Sequence, residues 1–300
     1  MKKILSLLLI TFLMLALAAC GESEGDGSSE ENGAVADQTE ETDTTETGEE
    51  DTSWANVEAS GKIVVGTSGT YSPVTYYNDD NELTGFDVEL VREMANYLGV
   101  DVEFKTMDFD GILPALRNGQ IDFATNDFAI TEERLETFDF TVPYKYSYGS
   151  IIVRAEDVDK FESAHDLEGV DVALGSLTSN YARFADYIGA NGTAYDGGVE
   201  AILRDVINGN TDAYLNDRLV LTRTLESFGD DRLAVATQVK YHSTSSAMPV
   251  LKGNEALVER LSEAIEALIA DGTVARLSEE FLGEDASQPL DSSEVVEFDF

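Results

Sequence analysis

Three hundred residues carry 59 acidic and 19 basic side chains, a formal net charge of −40, with one Cys and two His. So acidic a chain excludes nucleic acid as a partner, because phosphate is held by clustered Lys and Arg, and it speaks against docking on anionic lipid by charge. The lone Cys and the two distant His exclude disulfide frameworks, zinc centres and iron–sulfur ligation, while a hydrophobic fraction of 43% excludes wholesale disorder.

Met1-Lys2-Lys3 followed by ILSLLLITFLMLALAA is a charged start with an apolar run too short and wrongly flanked to span a bilayer, the form of an export signal. Residues 21 to 56 hold thirteen Asp and Glu and no Lys or Arg among Gly, Ser and Thr. Such a segment buries too little apolar surface to order itself, and as a coil it reaches about 30 to 36 Å, so a disordered acidic tether is expected. With those thirteen acids and the two signal lysines set aside, the remaining 244 residues still carry −29.

From Gly61 the pattern becomes that of a folded body. KIVVGTS reads as a buried strand entering a polar loop, and Asn78-Asp79-Asp80-Asn81 as a turn. Val88, Val91, Ala95 and Leu98 recur at helical spacing between Phe86 and Gly99, with Asp87 placed as N-cap, Phe86 and Val91 as a staple and Gly99 as the stop. VDVEFKTM then reads as a strand, DGILPALRNG as a short helix and QIDFATND as a strand. Strand and helix in alternation imply an α/β fold with a parallel sheet covered by helices.

The segment LPALRNGQIDFATND (113 to 127) aligns without gaps on LRDVINGNTDAYLND (203 to 217), identical at six of fifteen positions. Both read as helix, Asn-Gly stop, strand and a terminal Asn-Asp. IVVGTS (63 to 68) and DVALGS (171 to 176) form a second, weaker pair in the same order, so the chain reads as two related lobes. Ligands of open parallel sheets bind beyond the C-terminal strand ends. Loops 67 to 71, 126 to 134, 176 to 180 and 216 to 217 therefore line one interlobe cleft, with hinge crossings expected near Tyr148 to Val153 and Thr237 to Tyr241.

Six ordered stretches carry a resemblance: VGTSGTYSPVTYYNDDNELTGFDVEL, FDGILPAL, AITEERLETFDFTVPY, LGSLTSNYA, LNDRL and ADGTVARLSEEFLGED. Over residues 60 to about 285 the chain resembles the bacterial extracellular solute-binding proteins of family 3, the receptors of polar amino-acid ABC importers. SLTSNYA with LNDRL is most similar to the cystine-binding members. The resemblance implies a two-lobed periplasmic-binding-protein-like fold of type II, hinged by two crossover segments: lobe one over 57–150, lobe two over 151–238, a return to lobe one over 239–285, and a loosely held acidic tail over 286–300. It implies an amino-acid ligand, an ABC transporter permease as partner, a monomer, no cofactor and no enzymatic activity. Leu17-Ala18-Ala19-Cys20 resembles the bacterial lipobox, which implies a diacylated Cys20 anchoring the exported protein to the outer face of the cell membrane.

Site roles follow from the resemblance position by position. Arg134 matches the arginine that forks onto the ligand α-carboxylate; without the motif around it, in a body this acidic, it reads instead as a surface partner of Glu132, Glu133 or Glu136. Asp217 matches the carboxylate for the α-ammonium, Tyr71 and Phe109 the aromatic walls, and Ser176, Leu177, Thr178 and Ser179 the lobe-two clamp at a helix start. Ser68, Asn126, Asp127 and Ala129 complete the cleft. Relatives often carry an acid at Ser68, a second aromatic at Val74, Trp at Phe109, and Gly, Ser or Gln at Asp127, and Ala129 replaces a frequent Ser or Thr. An extra carboxylate at Asp127 suits a ligand with a second ammonium, such as cystine or a basic amino acid, or else caps the following turn. The alternative reading is a cyclohexadienyl dehydratase-like lyase with Asp127 as general acid; against it, no His, Lys or Cys is expected beside that residue. His165 and His242 stand at neither metal nor triad spacing.

Overall fold

The computed structural model describes residues 51–195 and 198–298. The signal segment 1–20, Cys20 and positions 21–50 of the expected tether lie outside the described residues. The last part of that tether is folded: Ser53–Ser60 forms helix α1, whose Trp54 and Val57 sink into the first lobe while Asp51 accepts the Ser53 and Ala256 amides. Two apolar anchors four residues from an acidic run are enough to order it.

The first lobe is laid down by β1 (Lys62–Thr67), a small hairpin layer of β2 (Thr70–Tyr71), β3 (Thr75–Tyr77) and β4 (Leu83–Thr84), α2 (Phe86–Leu98), β5 (Asp101–Thr106), α3 (Phe109–Arg117), β6 (Phe123–Ala124), α4 (Glu132–Leu135) and β7 (Phe138–Phe140). The chain then crosses on β8 (Lys145–Arg154) into β9 (Asp171–Leu174), α5 (Asn180–Ile188), β10 (Asn191–Ala194), α6 (Gly198–Asn208), β11 (Ala213–Asp217), α7 (Arg218–Phe228) and β12 (Leu233–Val235). It returns on β13 (Tyr241–Ser246) to β14 (Pro249–Leu251), α8 (Glu255–Ala270) and α9 (Thr273–Leu282).

Besides the small β2-β3-β4 layer, two larger sheets result, ordered β5-β1-β6-β14-β7 and β10-β9-β11-β8-β12, with β13 lying beside β8. Each is covered on both faces. In the second, Ile151, Val153 and Leu215 pack with Phe184 and Tyr241 on one side, while Ile152 and Tyr214 pack with Ile202, Val206 and Leu221 on the other. That alternation is the period-two geometry of a strand buried on both faces. Leu219 and Val220 of α7 reach across into the first lobe's core.

The repeat takes the same form twice. α3 and α6 each stop at an Asn-Gly whose glycine adopts a left-handed backbone, Gly119 at φ 66° and Gly209 at φ 73°, before β6 and β11. Both strands lie parallel to the strand that opens their lobe, β1 and β9.

Three local expectations are corrected. Gly85 rather than Asp87 caps α2: its φ of 121° is open to glycine, and a Cβ there would overlap the Val74 carbonyl. Asp87 is instead wholly buried. The crossings begin earlier and end later than predicted, because β8 is ten residues long and its first half, Lys145 to Gly149, pairs with β13 while its second half pairs inside the lobe-two sheet with β11 and β12. Finally, the C-terminal segment is held: Ala286 accepts the Tyr146 amide, Val296 bonds both Lys240 and His242 along β13, and the Phe298 ring sits among His165, Phe184 and Tyr187.

Candidate ligand-binding cleft

The C-terminal ends of β1, β6, β9 and β11 face one another, so the loops that follow them share one space. Ser68 follows β1, and its amide donates to the Asn126 side-chain oxygen at 2.8 Å. Tyr71 donates to the equivalent asparagine of the other lobe, Asn216, at 2.7 Å. Each repeat asparagine thus holds part of the lobe-one loop. Burial, with Asp127 and Asp217 nearby, pushes the Tyr71 phenol well above its ordinary range, so it stays a neutral donor.

The two repeat aspartates converge on one lysine. Lys145, fully buried on the crossover strand, donates to both oxygens of Asp127 at 2.8 Å each and to Asp217 at 2.9 Å. Burial opposes its charge, but Asp127 and Asp217 outweigh burial and its pKa is raised. The hydroxyl of Ser246, opposite Lys145 across the β8–β13 pair, also donates to Asp127. The other Asp217 oxygen caps α7 by accepting the Leu219 and Val220 amides. Behind Asp127, Asp87 accepts from the Thr125 hydroxyl, the Asp127 amide and the Tyr144 phenol; burial and the Asp127 charge push it up to about 7.

Toward the mouth lies Arg134, at 8% exposure rather than on the surface. Its guanidinium stacks 5.2 Å from the Phe128 ring and donates to the Ala129 carbonyl at 2.8 Å, and among the described residues no carboxylate pairs with it. Burial lowers its pKa to about 10, against the pull of Tyr181 and Asp127. A recess of about 530 Å³ opens beside it, lined by Phe109, Phe128, Arg134, Leu177, Thr178 and Asn180 among others. The Asn180 amide nitrogen is buried there without a hydrogen-bond partner among the described residues, in the first turn of α5, which Ser179 caps.

Lobe two meets lobe one at this rim. Ser176 and Thr178 donate to Asp110 at 2.6 and 2.7 Å, and Arg183 pairs with Glu133. A larger groove of about 1030 Å³ lies elsewhere, along Ser72, Pro73 and α7. Both of its arginines are paired within it, Arg204 with Glu200 and Arg223 with Glu226, and it contains none of the predicted site residues.

The predicted residues therefore fall into two linked groups. Phe109, Arg134, Leu177 and Thr178 line the recess, with Ser176, Ser179 and Ala129 adjoining, while Ser68, Tyr71, Asn126, Asp127 and Asp217 lie in the deeper polar layer. The Asp127 oxygens face Lys145 and Ser246, so it stands neither as an open carboxylate nor as a cap of the turn after it. The expectation that no lysine accompanies it is corrected. Sequence reasoning placed the loops of Asn180 and Asn216 on the cleft but gave these two residues no role, and it missed Asp110 altogether. Among the described residues no group of three or more His, Cys, Asp and Glu could hold a metal, and no helix is long and apolar enough to cross a membrane.

The pattern of the bacterial extracellular solute-binding proteins, family 3, matches residues 63–284. The chain belongs to this family. It is 40% identical over 247 residues to the probable ABC transporter extracellular-binding protein YckB of Bacillus subtilis, covering 81% of this chain and 86% of that one. It is 31% identical over 289 residues to the L-cystine-binding protein TcyA of the same organism, covering 96% and 100%. Among solved structures, the L-cystine solute receptor of Neisseria gonorrhoeae in its unliganded open conformation superposes with a TM-score of 0.58 at 34% identity, covering 79% of this chain and 99% of that one. Like these family-3 proteins, the chain is a two-lobed α/β protein.

Proposed function

We propose that this family-3 protein is an exported, lipid-anchored receptor that holds a polar amino acid, cystine favoured, between its lobes and hands it to an ABC importer permease. The observation that carries the reading is the buried Arg134 guanidinium, which no carboxylate of the described residues neutralises, beside the unpartnered Asn180 amide and across from the Asp127–Asp217 pair. A buried cation without a counter-charge is costly, and a ligand α-carboxylate accepting from Arg134, Asn180 and the first amides of α5 relieves that cost. An α-ammonium then takes the acceptor positions left on Asp127 and Asp217. Tyr71 and Phe109 wall the side chain.

The relatives named above support the ligand class, and the Leu17-Ala18-Ala19-Cys20 signature supports the anchor. The lyase alternative needs Asp127 to donate a proton to a leaving group, whereas Asp127 accepts here, from Lys145 on both oxygens and from Ser246 on one. A thermal-shift screen of the purified protein against the proteinogenic amino acids and cystine tests the reading: a ligand bound only by the folded form raises the melting temperature. No shift with any of them refutes it.

A further inference from the structure

The internal repeat ends in two aspartates, one per lobe, and the crossover strand supplies one lysine that meets both. An ammonium has three protons to donate, and Lys145 makes three hydrogen bonds to Asp127 and Asp217. Lys145 is thus an ammonium fixed by the protein in the layer where a ligand ammonium has to find its partner.

The remaining acceptor capacity is small. A carboxylate offers about four lone-pair positions. Asp127 gives two to Lys145 and one to Ser246; Asp217 gives one to Lys145 and two to the Leu219 and Val220 amides. Each aspartate keeps one, enough for a single ammonium bridging the pair. Asp87, the next carboxyl inward, already accepts from Thr125, Asp127 and both contacts of Tyr144. At the mouth, Asp110 accepts from Ser176 and Thr178, Glu133 pairs with Arg183, and Glu136 and Asp186 stand among Arg117 and Arg183. Over the recess and the polar layer behind it, the charges of Asp127, Asp217, Lys145 and Arg134 cancel.

We propose that Lys145 is a specificity-determining residue: by consuming one of the two aspartate charges it sets the cleft for amino acids of zero net charge and disfavours those whose side chain adds a cation. The inference rests on the amino-acid-binding reading above. Cystine, with two ammonium and two carboxylate groups, falls in the favoured class; arginine and lysine do not. The β13 side of the hinge contributes no charge to this balance, since Ser246 is its only group on Asp127 among the described residues.

Calorimetric titration of the purified protein with cystine, glutamine, glutamate, arginine and lysine tests the proposal. The wild type should bind a neutral member more tightly than arginine or lysine. Lys145→Met, similar in length without the charge, should move the neutral-to-cationic affinity ratio toward arginine and lysine by roughly tenfold or more. Asp127→Asn, which leaves Lys145 paired with Asp217, should move preference the opposite way, toward glutamate, and carries the test should the methionine variant fail to fold. A ratio unchanged in either folded variant, or a wild type that prefers arginine, overturns this inference alone. A wild type that binds none of the five overturns it together with the amino-acid-binding reading.

Discussion

Lys145, Asp127 and Asp217 show how three side chains can each be indispensable for a different reason. Asp217 caps α7 with one oxygen and neutralises a fully buried lysine with the other, so Asp217→Ala removes a cap and strands a charge at once. Breaking a buried pair in this way costs about 3–5 kcal/mol, and urea unfolding should show that loss, with Asp217→Asn falling between the variant and wild type. Asp87 gives a prediction of opposite kind. Its folded-state pKa, raised by burial and by the Asp127 charge to about 7, means the folded protein holds an extra proton between the ordinary carboxyl range and that value. Its contribution to stability is therefore present at low pH and lost as pH rises through about 7. Asp87→Asn should gain stability relative to wild type between pH 4 and pH 8 in paired denaturation curves; a constant difference across that range contradicts the assignment. At this scale the sequence concealed Lys145. Tyr146 and Tyr148 alternate with it and Ser147, and in a period-two strand an aromatic set is expected inside and a lysine outside; β8 takes the reverse register, burying Lys145 and Ser147. Nothing local to the chain distinguishes the two registers, because the deciding partners, Asp127 and Asp217, arrive from elsewhere.

Among the elements, the repeated helix, Asn-Gly stop and strand were legible because each part has its own local cause: apolar spacing, a left-handed glycine, and a strand ending in polar residues. The start of α2 was misread by two positions, since a capping aspartate and a buried aspartate look alike until the Val74 carbonyl beneath Gly85 is known. The C-terminal segment was misjudged from composition. Its acids suggested a solvated tail, yet Val296 and Phe298 alternate with Glu297 in strand fashion and dock on β13 and lobe two. Phe298→Ala should cost about 1–2 kcal/mol of stability, the scale of a partly buried aromatic, measured by chemical denaturation. A change within error would mean that the ring contacts with His165, Phe184 and Tyr187 contribute nothing.

For the whole molecule, the two lobes meet through hydrogen bonds and ion pairs at the rim, such as Tyr71 with Asn216 and Glu133 with Arg183, and through the α7 apolar contacts at the back. The fold class and the existence of a cleft were legible from alternating strands and helices; the pairing across the rim was not, since it depends on how the lobes close. The body's charge of −29 is spread over a surface with few cations, so self-repulsion opposes the compact state. Raising salt from about 0.1 to 1 M shortens the screening length from about 10 to 3 Å and should raise the melting temperature by several degrees; a fall would show that screened ion pairs matter more than repulsion.

The proposed receptor depends above all on Arg134 taking the carboxylate end of an amino acid. Arg134→Ala should weaken binding of the amino acid found in the thermal screen by about 2–5 kcal/mol in calorimetry, while the melting temperature without ligand stays near that of the wild type, because the guanidinium's hydrogen bond within the protein is to one carbonyl. Near-normal affinity in that variant would contradict the account.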